Sequence, residues 1–302
     1  MSPVCERQTN IESRPSRTAM FAAIHRYLSL FESNPDFSSR DYLSGQFIPA
    51  YIRLTLCLRW LRQHVRKKLH RKGPGTYQYV IARTKFFDEQ FLKALEANVP
   101  QIVILGAGYD TRAVRYRKSL ATTKIFELDT AALQHRKSKI YKQNKVPIPD
   151  NLVFCPITFG QQSIAEVLEK HGYDSAQRTL FLWEGVTYYL TESAVLETLG
   201  FIKNNAGSTS ELVFDYFYKS FIGGRYDYYG AKPLYDAVVK IDEPFLFGIE
   251  EDGLSQFISD AGFELVSRQT PEGLEKHYLS GDNGSLGKVY GFAECVHARL
   301  KC

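Results

Sequence analysis

The chain has 302 residues, a hydrophobic content of 44%, a charged content of 24% and a formal net charge of +5. These values are typical of a globular protein with one large α/β domain or two smaller ones, and the mild charge does not by itself indicate a nucleic-acid partner. No apolar run reaches the length of a membrane span, the polar N-terminus lacks the apolar core of a signal peptide, and the five cysteines show no CxxC spacing. We therefore expect a cytoplasmic protein with reduced thiols, no metal site and no membrane span.

Three amphipathic helices are predicted in residues 1–95, which we expect to form an N-terminal helical cap on a core domain of residues 96–302. The first follows a polar stretch, residues 1–15, that is expected to be loosely ordered, and it ends before Asn34-Pro35-Asp36. The third carries Arg83 and Lys85 within a broad apolar face. The second begins near Pro49, and its apolar stripe comprises Tyr51, Leu54, Leu58, Leu61, Val65 and Leu69.

The back of the second helix is strongly basic. A helix of this kind can bind an anionic membrane or a nucleic acid, but a solvated helix face is the commoner explanation. Because the stretch has no nucleic-acid motif and lacks the aromatic interleaving typical of nucleic-acid-binding segments, we expect no nucleic-acid partner. The basic residues are Arg59, Arg62, Arg66, Lys67, Lys68, Arg71 and Lys72.

The stretch from Gln101 to Asp129 has the pattern of a nucleotide-binding βαβ unit. Gly106 and Gly108 follow an apolar strand and leave no Cβ where the chain must turn, and Asp129 ends the next strand at the spacing where an acid meets a ribose diol. A dinucleotide fingerprint needs a third glycine, and Thr111 stands in its place. The pattern therefore favours a nucleoside ligand without phosphates, such as S-adenosylmethionine, over a nicotinamide cofactor.

Alternating strands and helices continue to the end of the chain. With the two strands above, the predicted strands 152–155, 179–183, 211–216, 263–267 and 288–298 make seven, and a long polar connection separates the last two. This alternation predicts an α/β fold with a doubly wound, mostly parallel seven-stranded sheet, to which the closing pair could add an antiparallel edge. Ten aromatic residues between 216 and 247 predict a lid insertion at about 216–250.

In such a sheet a ligand lies at the carboxyl ends of the strands, close to the point where the strand order reverses. The ends of the first, second and fourth predicted strands carry Gly106 and Gly108, Asp129, and Glu184. We expect these residues to lie close to one ligand.

Four motifs resemble those of the leucine carboxyl methyltransferase family. They are Ala82-Arg83-Thr84 before Asp88, the segment from Ile104 to Arg112, Phe126-Glu127-Leu128-Asp129, and the segment from Trp183 to Leu190. The resemblance extends from about Ser16 to about Leu190 and more loosely to the end. It implies an S-adenosylmethionine-dependent methyltransferase, and the family includes many microbial O-methyltransferases whose substrates are not settled.

The resemblance also implies roles for individual residues. Arg83 would bind the methionine carboxylate, Asp129 the ribose hydroxyls and Glu184 the methionine part, with Gly106 and Gly108 lining the amino-acid end. Arg26 on the first helix is a further candidate for the same carboxylate. The adenine contact departs from the family pattern, because Thr158, followed by Phe159, stands where the family carries an aspartate. A hydroxyl accepts a hydrogen bond more weakly than a carboxylate does.

The predicted reaction is O-methylation of a carboxylate or a hydroxyl on a small molecule, and a protein C-terminus is a second type of acceptor. A carboxylate needs no general base, whereas a hydroxyl must lose a proton, for which Glu184, Tyr188 and Tyr189 are the candidates near the site. The alternative is a catalytically inactive nucleotide-binding or interaction protein with the same fold. Each candidate also has a structural explanation, as one half of an ion pair or as a cap.

Overall fold

The computed structural model describes residues 17–239, 244–282 and 284–301. The predicted loose N-terminal stretch 1–15 and the start of the family resemblance at Ser16 lie outside the described residues. Four residues of the predicted lid, 240–243, lie outside them as well.

The strands are β1 (Gln101–Leu105), β2 (Lys124–Asp129), β3 (Leu152–Pro156), β4 (Thr179–Trp183), β5 (Glu211–Phe217), β6 (Phe263–Gln269) and β9 (Ala293–Leu300), with a separate ladder of β7 (Ser280–Gly281) and β8 (Gly284–Ser285). The seven larger strands form one mixed sheet, in the order β3-β2-β1-β4-β5-β9-β6. Neighbours from β3 to β5 are parallel, and β9 is antiparallel to both β5 and β6. The predicted fold class is therefore confirmed, and the closing pair forms the expected antiparallel edge, with the final strand β9 between β5 and β6.

Helices cover the N-terminal part of the chain and connect the parallel strands. They are α1 (Arg17–Ser29), α2 (Ala50–Cys57), α3 (Arg59–Lys72), α4 (Thr76–Glu96), α5 (Arg112–Arg115), α6 (Ala131–Gln143), α7 (Ile164–Lys170), α8 (Glu192–Asn204), α9 (Lys219–Ile222), α10 (Ala231–Val239), α11 (Leu254–Asp260) and α12 (Pro271–Tyr278). Helix α4 is the most deeply buried of the N-terminal four and packs against β4 and β5. It thereby places Arg83 at the sheet, while the predicted domain division at residue 95 stays a prediction.

The second predicted helix is two helices. Leu58 has an extended backbone (φ −82°, ψ 117°) and separates α2 from α3. The predicted stripe is consequently interrupted: Val65 and Leu69 pack against the core, whereas Tyr51 and Leu54 are 71% and 69% exposed. The prediction of one continuous helix with a single apolar stripe was therefore wrong.

The segment between the last two large strands also differs from the prediction. The expected long polar connection contains α12, which begins at Pro271 with Thr270 as its cap, since the Thr270 hydroxyl accepts from the Gly273 amide. Leu274 on this helix is fully buried. Strand β9 then begins at Ala293, five residues after the predicted start at Lys288.

The aromatic-rich segment starts on β5 and packs against the loop that follows β4. Phe217 stacks on Tyr188 with ring centroids 4.0 Å apart, and Phe221 stacks on Phe292 at 3.9 Å. Phe245 meets the rings of Tyr188 and Phe217 edge-on. The described aromatic residues here close one end of the sheet, and a lid function for the segment stays a prediction.

Candidate functional site

The turn after β1 is built by two glycines in the left-handed region. Gly106 has φ +65° and Gly108 has φ +51°, conformations that residues with a Cβ rarely adopt. A Cβ on Gly106 would also lie 2.7 Å from a methyl group of Val186 in the loop after β4. The turn therefore requires glycine at this point, and it brings the ends of β1 and β4 into contact.

Asp129 at the end of β2 is hydrogen-bonded to this turn. Its Oδ2 accepts from the Gly108 amide at 2.7 Å, and its Oδ1 accepts from the Thr130 amide at 2.6 Å. Burial raises the pKa of Asp129, although these two hydrogen bonds oppose the rise. A carboxylate has about four lone-pair sites, so both oxygens can still accept from the two hydroxyls of a ribose.

Glu184, directly after β4, is held by two arginines. Its Oε1 lies 3.0 Å from Arg83 Nε, and its Oε2 lies 2.7 Å from Arg112 Nη2. Burial alone would raise the pKa of Glu184, but the charges of Arg112, Arg83 and Arg26 outweigh it and lower that pKa below its usual value. Glu184 is therefore anionic at neutral pH, and a carboxylate engaged on both oxygens is poorly suited to remove a proton.

Arg83 lies at the centre of a buried polar network. Its Nη1 donates to the Tyr188 hydroxyl and to Asp215 Oδ2, each at 3.0 Å. A Cβ on Gly185, which has φ +73°, would approach Nη1 and Nη2 to 3.1 Å, so the loop after β4 lies directly on the guanidinium. Nη2 has no partner among the residues that the structure describes, which leaves a donor available to a ligand carboxylate.

Tyr188 and Tyr189, the other candidates for a general base, differ in their surroundings. Tyr188 is buried and receives the hydrogen bond from Arg83. Burial raises the pKa of Tyr188 well above its usual value, so its hydroxyl keeps its proton at neutral pH. Tyr189 is half-buried, with its ring 4.8 Å from that of Tyr188 and 5.4 Å from that of Phe245.

Arg26 is brought to the same region from α1. Its Nη2 donates to the Tyr109 carbonyl at 2.7 Å. Its buried Nε lies 2.9 Å from Asp41 Oδ2 but is not aligned for a hydrogen bond. With Thr84 and residues 110–112 and 115, Arg26 and Asp41 line a small pocket beside the glycine turn.

Thr158 and Phe159 lie farther along the same edge of the sheet. The Thr158 amide donates to Gln162 Oε1 at 2.8 Å, and Phe159 is 44% exposed. They follow β3, three inter-strand spacings or roughly 14 Å from β4. The predicted residues after β3, β2, β1 and β4 thus form a row whose length suits a nucleoside with an amino-acid tail.

Sequence reasoning missed the residues that hold the arginines in place. Asp215 Oδ2 accepts from the Tyr79 hydroxyl at 2.8 Å, and its Oδ1 accepts from the Gly185 amide at 2.6 Å. Arg112 contacts Asp110 and donates to Asp88 at 2.8 Å. The sequence signal for Asp215 was its position as an acidic residue within the otherwise apolar or aromatic buried part of β5.

Within the ranges 17–239, 244–282 and 284–301, no group of three or more His, Cys, Asp or Glu residues is arranged to hold a metal ion. Within the same ranges, no helix has the length and apolarity needed to cross a membrane.

Comparison with known proteins gives a family and relatives. Residues 31–203 match the family described as leucine carboxyl methyltransferase. A provisionally named S-adenosyl-L-methionine-dependent methyltransferase of Bacillus subtilis is 23% identical over 225 residues, which are 73% of this chain and 72% of the relative. Another, from Frankia alni, is 33% identical over 120 residues, which are 40% of this chain and 41% of the relative. The chain therefore spans about two fifths of the length of that relative.

A solved structure has the same architecture. The crystal structure of a provisionally named methyltransferase from Thermobifida fusca has a TM-score of 0.60 and 14% identity, and the alignment covers 96% of each chain. At this level of identity the similarity shows a common fold and nothing further.

Proposed function

The chain belongs to the leucine carboxyl methyltransferase family, as its four motifs predicted, and on that premise we propose that it transfers a methyl group from S-adenosylmethionine to an oxygen of a small-molecule carboxylate. The names of the relatives in Bacillus subtilis and Frankia alni support the cofactor. The observation that carries the choice of acceptor is the double engagement of Glu184 by Arg83 and Arg112.

The cofactor would lie along the row of residues at the carboxyl edge of the sheet. Asp129 would accept hydrogen bonds from the ribose hydroxyls, and Arg83 Nη2 would donate one to the methionine carboxylate. The turn at Gly106 would allow the backbone to lie close to the amino-acid end of the cofactor. Thr158 and Phe159 would lie at the adenine end. When bound, the cofactor supplies an activated methyl group on a sulfonium.

The acceptor proposal follows from proton chemistry. Methyl transfer is an in-line displacement that needs the acceptor oxygen at near-attack distance in a site without water. A carboxylate is already anionic, whereas a hydroxyl needs a base at the site. Glu184 has a lowered pKa and Tyr188 keeps its proton, so neither is suited to that task, and Tyr189 is the one of the three candidates that remains for a hydroxyl acceptor.

The experiment uses the chemical difference between the two products. We would incubate the purified protein with S-adenosylmethionine labelled in the methyl group and with a low-molecular-mass extract of the cells that produce the protein. Mild alkali releases a methyl ester as volatile methanol but leaves a methyl ether intact. We expect alkali-labile label, and much less of it with the Asp129→Ala variant when the cofactor concentration is kept near the wild-type dissociation constant.

The other outcomes separate the remaining functions. Alkali-stable label in a small molecule would identify a hydroxyl acceptor and contradict the carboxylate proposal. In a second incubation with the protein fraction of the same cells, alkali-labile label that carboxypeptidase digestion releases would identify a protein C-terminus. If S-adenosylhomocysteine binds but no acceptor is labelled in any extract, the inactive binding protein becomes the better account.

A further inference from the structure

The surface formed by α2 and the start of α3 exposes four large apolar side chains. Tyr51, Leu54, Leu58 and Trp60 are 71%, 69%, 51% and 69% exposed. Tyr51 and Leu54 are three residues apart on α2, and such neighbours lie on one side of a helix. Exposed apolar groups that are adjacent in this way indicate a surface that another body covers.

The same part of the chain carries a concentrated positive charge. Residues 42–87 include ten Lys or Arg and no Asp or Glu. Arg66 and Arg83 are paired with Glu32 and Glu184, but the exposed cations of α3 have no carboxylate partner among the residues that the structure describes. These exposed cations are Arg59, Lys67, Lys68, Arg71 and Lys72.

Two of the exposed cations share a face of α3 with Trp60. Lys67 and Arg71 follow Trp60 by seven and eleven residues, which places all three on one helical face. The opposite face packs against the core through Val65 and Leu69. Lys67 and Arg71 therefore face the same side as the exposed tryptophan, and the other exposed cations flank that face.

Two further arginines fix α3 to the body of the protein. The Arg62 guanidinium lies 4.4 Å above the Phe31 ring, and Arg66 Nη2 lies 2.9 Å from Glu32 Oε1. The surface is consequently preformed, because neither contact has to break for the outer face of α3 to bind.

We propose that this α2–α3 surface, comprising Tyr51, Leu54, Leu58, Trp60 and the five exposed cations of α3, binds the interface of an anionic lipid membrane. Trp and Tyr favour the interfacial region, leucines enter the adjoining acyl boundary, and Lys and Arg are attracted to anionic head groups.

A nucleic acid fits this surface less well. Its phosphates would pair with the cations of α3, but the exposed Leu54 and Leu58 would have no apolar partner along its phosphate backbone. An anionic lipid surface is therefore the better partner, whichever methyl acceptor the protein uses.

Tryptophan fluorescence provides a direct test, since the chain has two tryptophans and Trp183 is 2% exposed. We would titrate the whole protein with vesicles of phosphatidylcholine, with and without phosphatidylglycerol. We expect a blue shift of the Trp60 emission with the anionic vesicles alone. The Trp60→Phe variant should co-sediment with the vesicles but show no such shift.

Charge and apolar variants separate the two components of binding. Lys67→Glu and Lys68→Glu should each weaken co-sedimentation with anionic vesicles about fivefold or more. The control variant Lys142→Glu carries the same charge change on an exposed residue of α6 and should bind as the wild type does. Leu54→Ser should also weaken binding, and its unfolding midpoint should stay unchanged because the side chain is exposed.

Several results would overturn the proposal. Absence of binding to anionic vesicles, or an equal effect of Lys142→Glu and Lys67→Glu, would exclude a specific lipid surface. Binding of a duplex DNA fragment without any vesicle binding would assign the surface to nucleic acid. A dimer in sedimentation that Leu54→Ser dissociates, again without vesicle binding, would mean that a second copy of the chain covers it.

Discussion

Arg83 on α4 and Asp215 on β5 form a buried ion pair, with Nη1 3.0 Å from Oδ2. The two residues are 132 positions apart in the chain, so the pair fixes the N-terminal helices to the sheet beneath the candidate cofactor site. Tyr79 and the Gly185 amide donate to the same carboxylate. Asp215 thereby orients the arginine that we propose for the methionine carboxylate.

Replacing Asp215 should cost more stability than replacing an exposed aspartate. In Asp215→Asn the charge of Arg83 is left with one carboxylate partner, Glu184, in a buried site. Since breaking a buried pair typically costs about 3–5 kcal/mol and one partner remains, we expect the free energy of unfolding to fall by about 2–3 kcal/mol. Urea unfolding followed by circular dichroism measures it. The exposed Asp252→Asn is the control, with an expected change within about 0.5 kcal/mol.

The ribose assignment can be tested through cofactor affinity. Asp129→Ala removes the acceptor of the proposed hydroxyl contacts and should weaken S-adenosylhomocysteine binding by about 1.5–3 kcal/mol, which is roughly ten- to 150-fold. Isothermal titration calorimetry measures the dissociation constant. The exposed Asp150→Ala should leave it unchanged. Equal affinities of the two variants would show that the ribose lies elsewhere.

Glu184 should act on cofactor binding more than on the chemical step. Its carboxylate compensates Arg83 and Arg112 and would face the positive groups of the cofactor, whose sulfonium charge is lost as the methyl leaves. We expect Glu184→Gln to raise the KM for S-adenosylmethionine about tenfold to a hundredfold and to lower kcat much less. Steady-state kinetics with the acceptor from the labelling experiment gives both constants.

An opposite pattern would reassign the residue. If KM is intact while kcat collapses and the pH profile loses a limb, then Glu184 is a general base and the acceptor is a hydroxyl. If neither constant changes, Glu184 is structural, and the reacting groups have to be sought around Tyr188 and Tyr189.

Sequence reasoning could predict the fold and the position of the candidate site residues along one edge of the sheet, because both depend on local patterns. Apolar runs and glycine turns identify parallel strands, and the carboxyl ends of parallel strands share one edge of the sheet, which places Gly106, Asp129 and Glu184 together. Asp215 could not be predicted as the partner of Arg83, since that pairing depends on how α4 packs against β5.

The break at Leu58 was missed for a related reason. No glycine or proline occurs between Pro49 and Gly73, so the helical pattern appeared continuous. Helix α3 contacts Phe31 and Glu32 through Arg62 and Arg66, and such tertiary contacts are not visible in a local sequence pattern. The break at Leu58 leaves apolar side chains exposed, and only the structure could show that surface.

The buried His25 should make the free energy of unfolding depend on pH. The side chain is fully buried, and burial lowers its pKa from 6.5 to about 4, although a hydrogen bond to the Phe21 carbonyl opposes this. Because the folded pKa lies below the unfolded one, the unfolded state takes up a proton first as the pH falls. The stability present above pH 6.5 is then lost progressively down to about pH 4, by up to about 3 kcal/mol.

The expected result is a smaller acid destabilisation when this histidine is removed. Urea unfolding of His25→Gln, measured across the same pH window, should show a shallower fall than the wild type, whatever its stability at neutral pH. His64→Gln is the control, because His64 is exposed on α3 and should keep the wild-type slope. Parallel curves for all three proteins would refute a buried neutral His25.

The most direct test of the cofactor site is a calorimetric titration of the wild-type protein with S-adenosylhomocysteine and, separately, with NAD. The row from Thr158 through Asp129 and the glycine turn to Glu184 suits a nucleoside with an amino-acid tail, and Thr111 stands where a dinucleotide site needs glycine. We predict binding of S-adenosylhomocysteine with a dissociation constant on the order of micromolar, about −8 kcal/mol, and no heat with NAD. Binding of NAD without binding of S-adenosylhomocysteine would contradict the account.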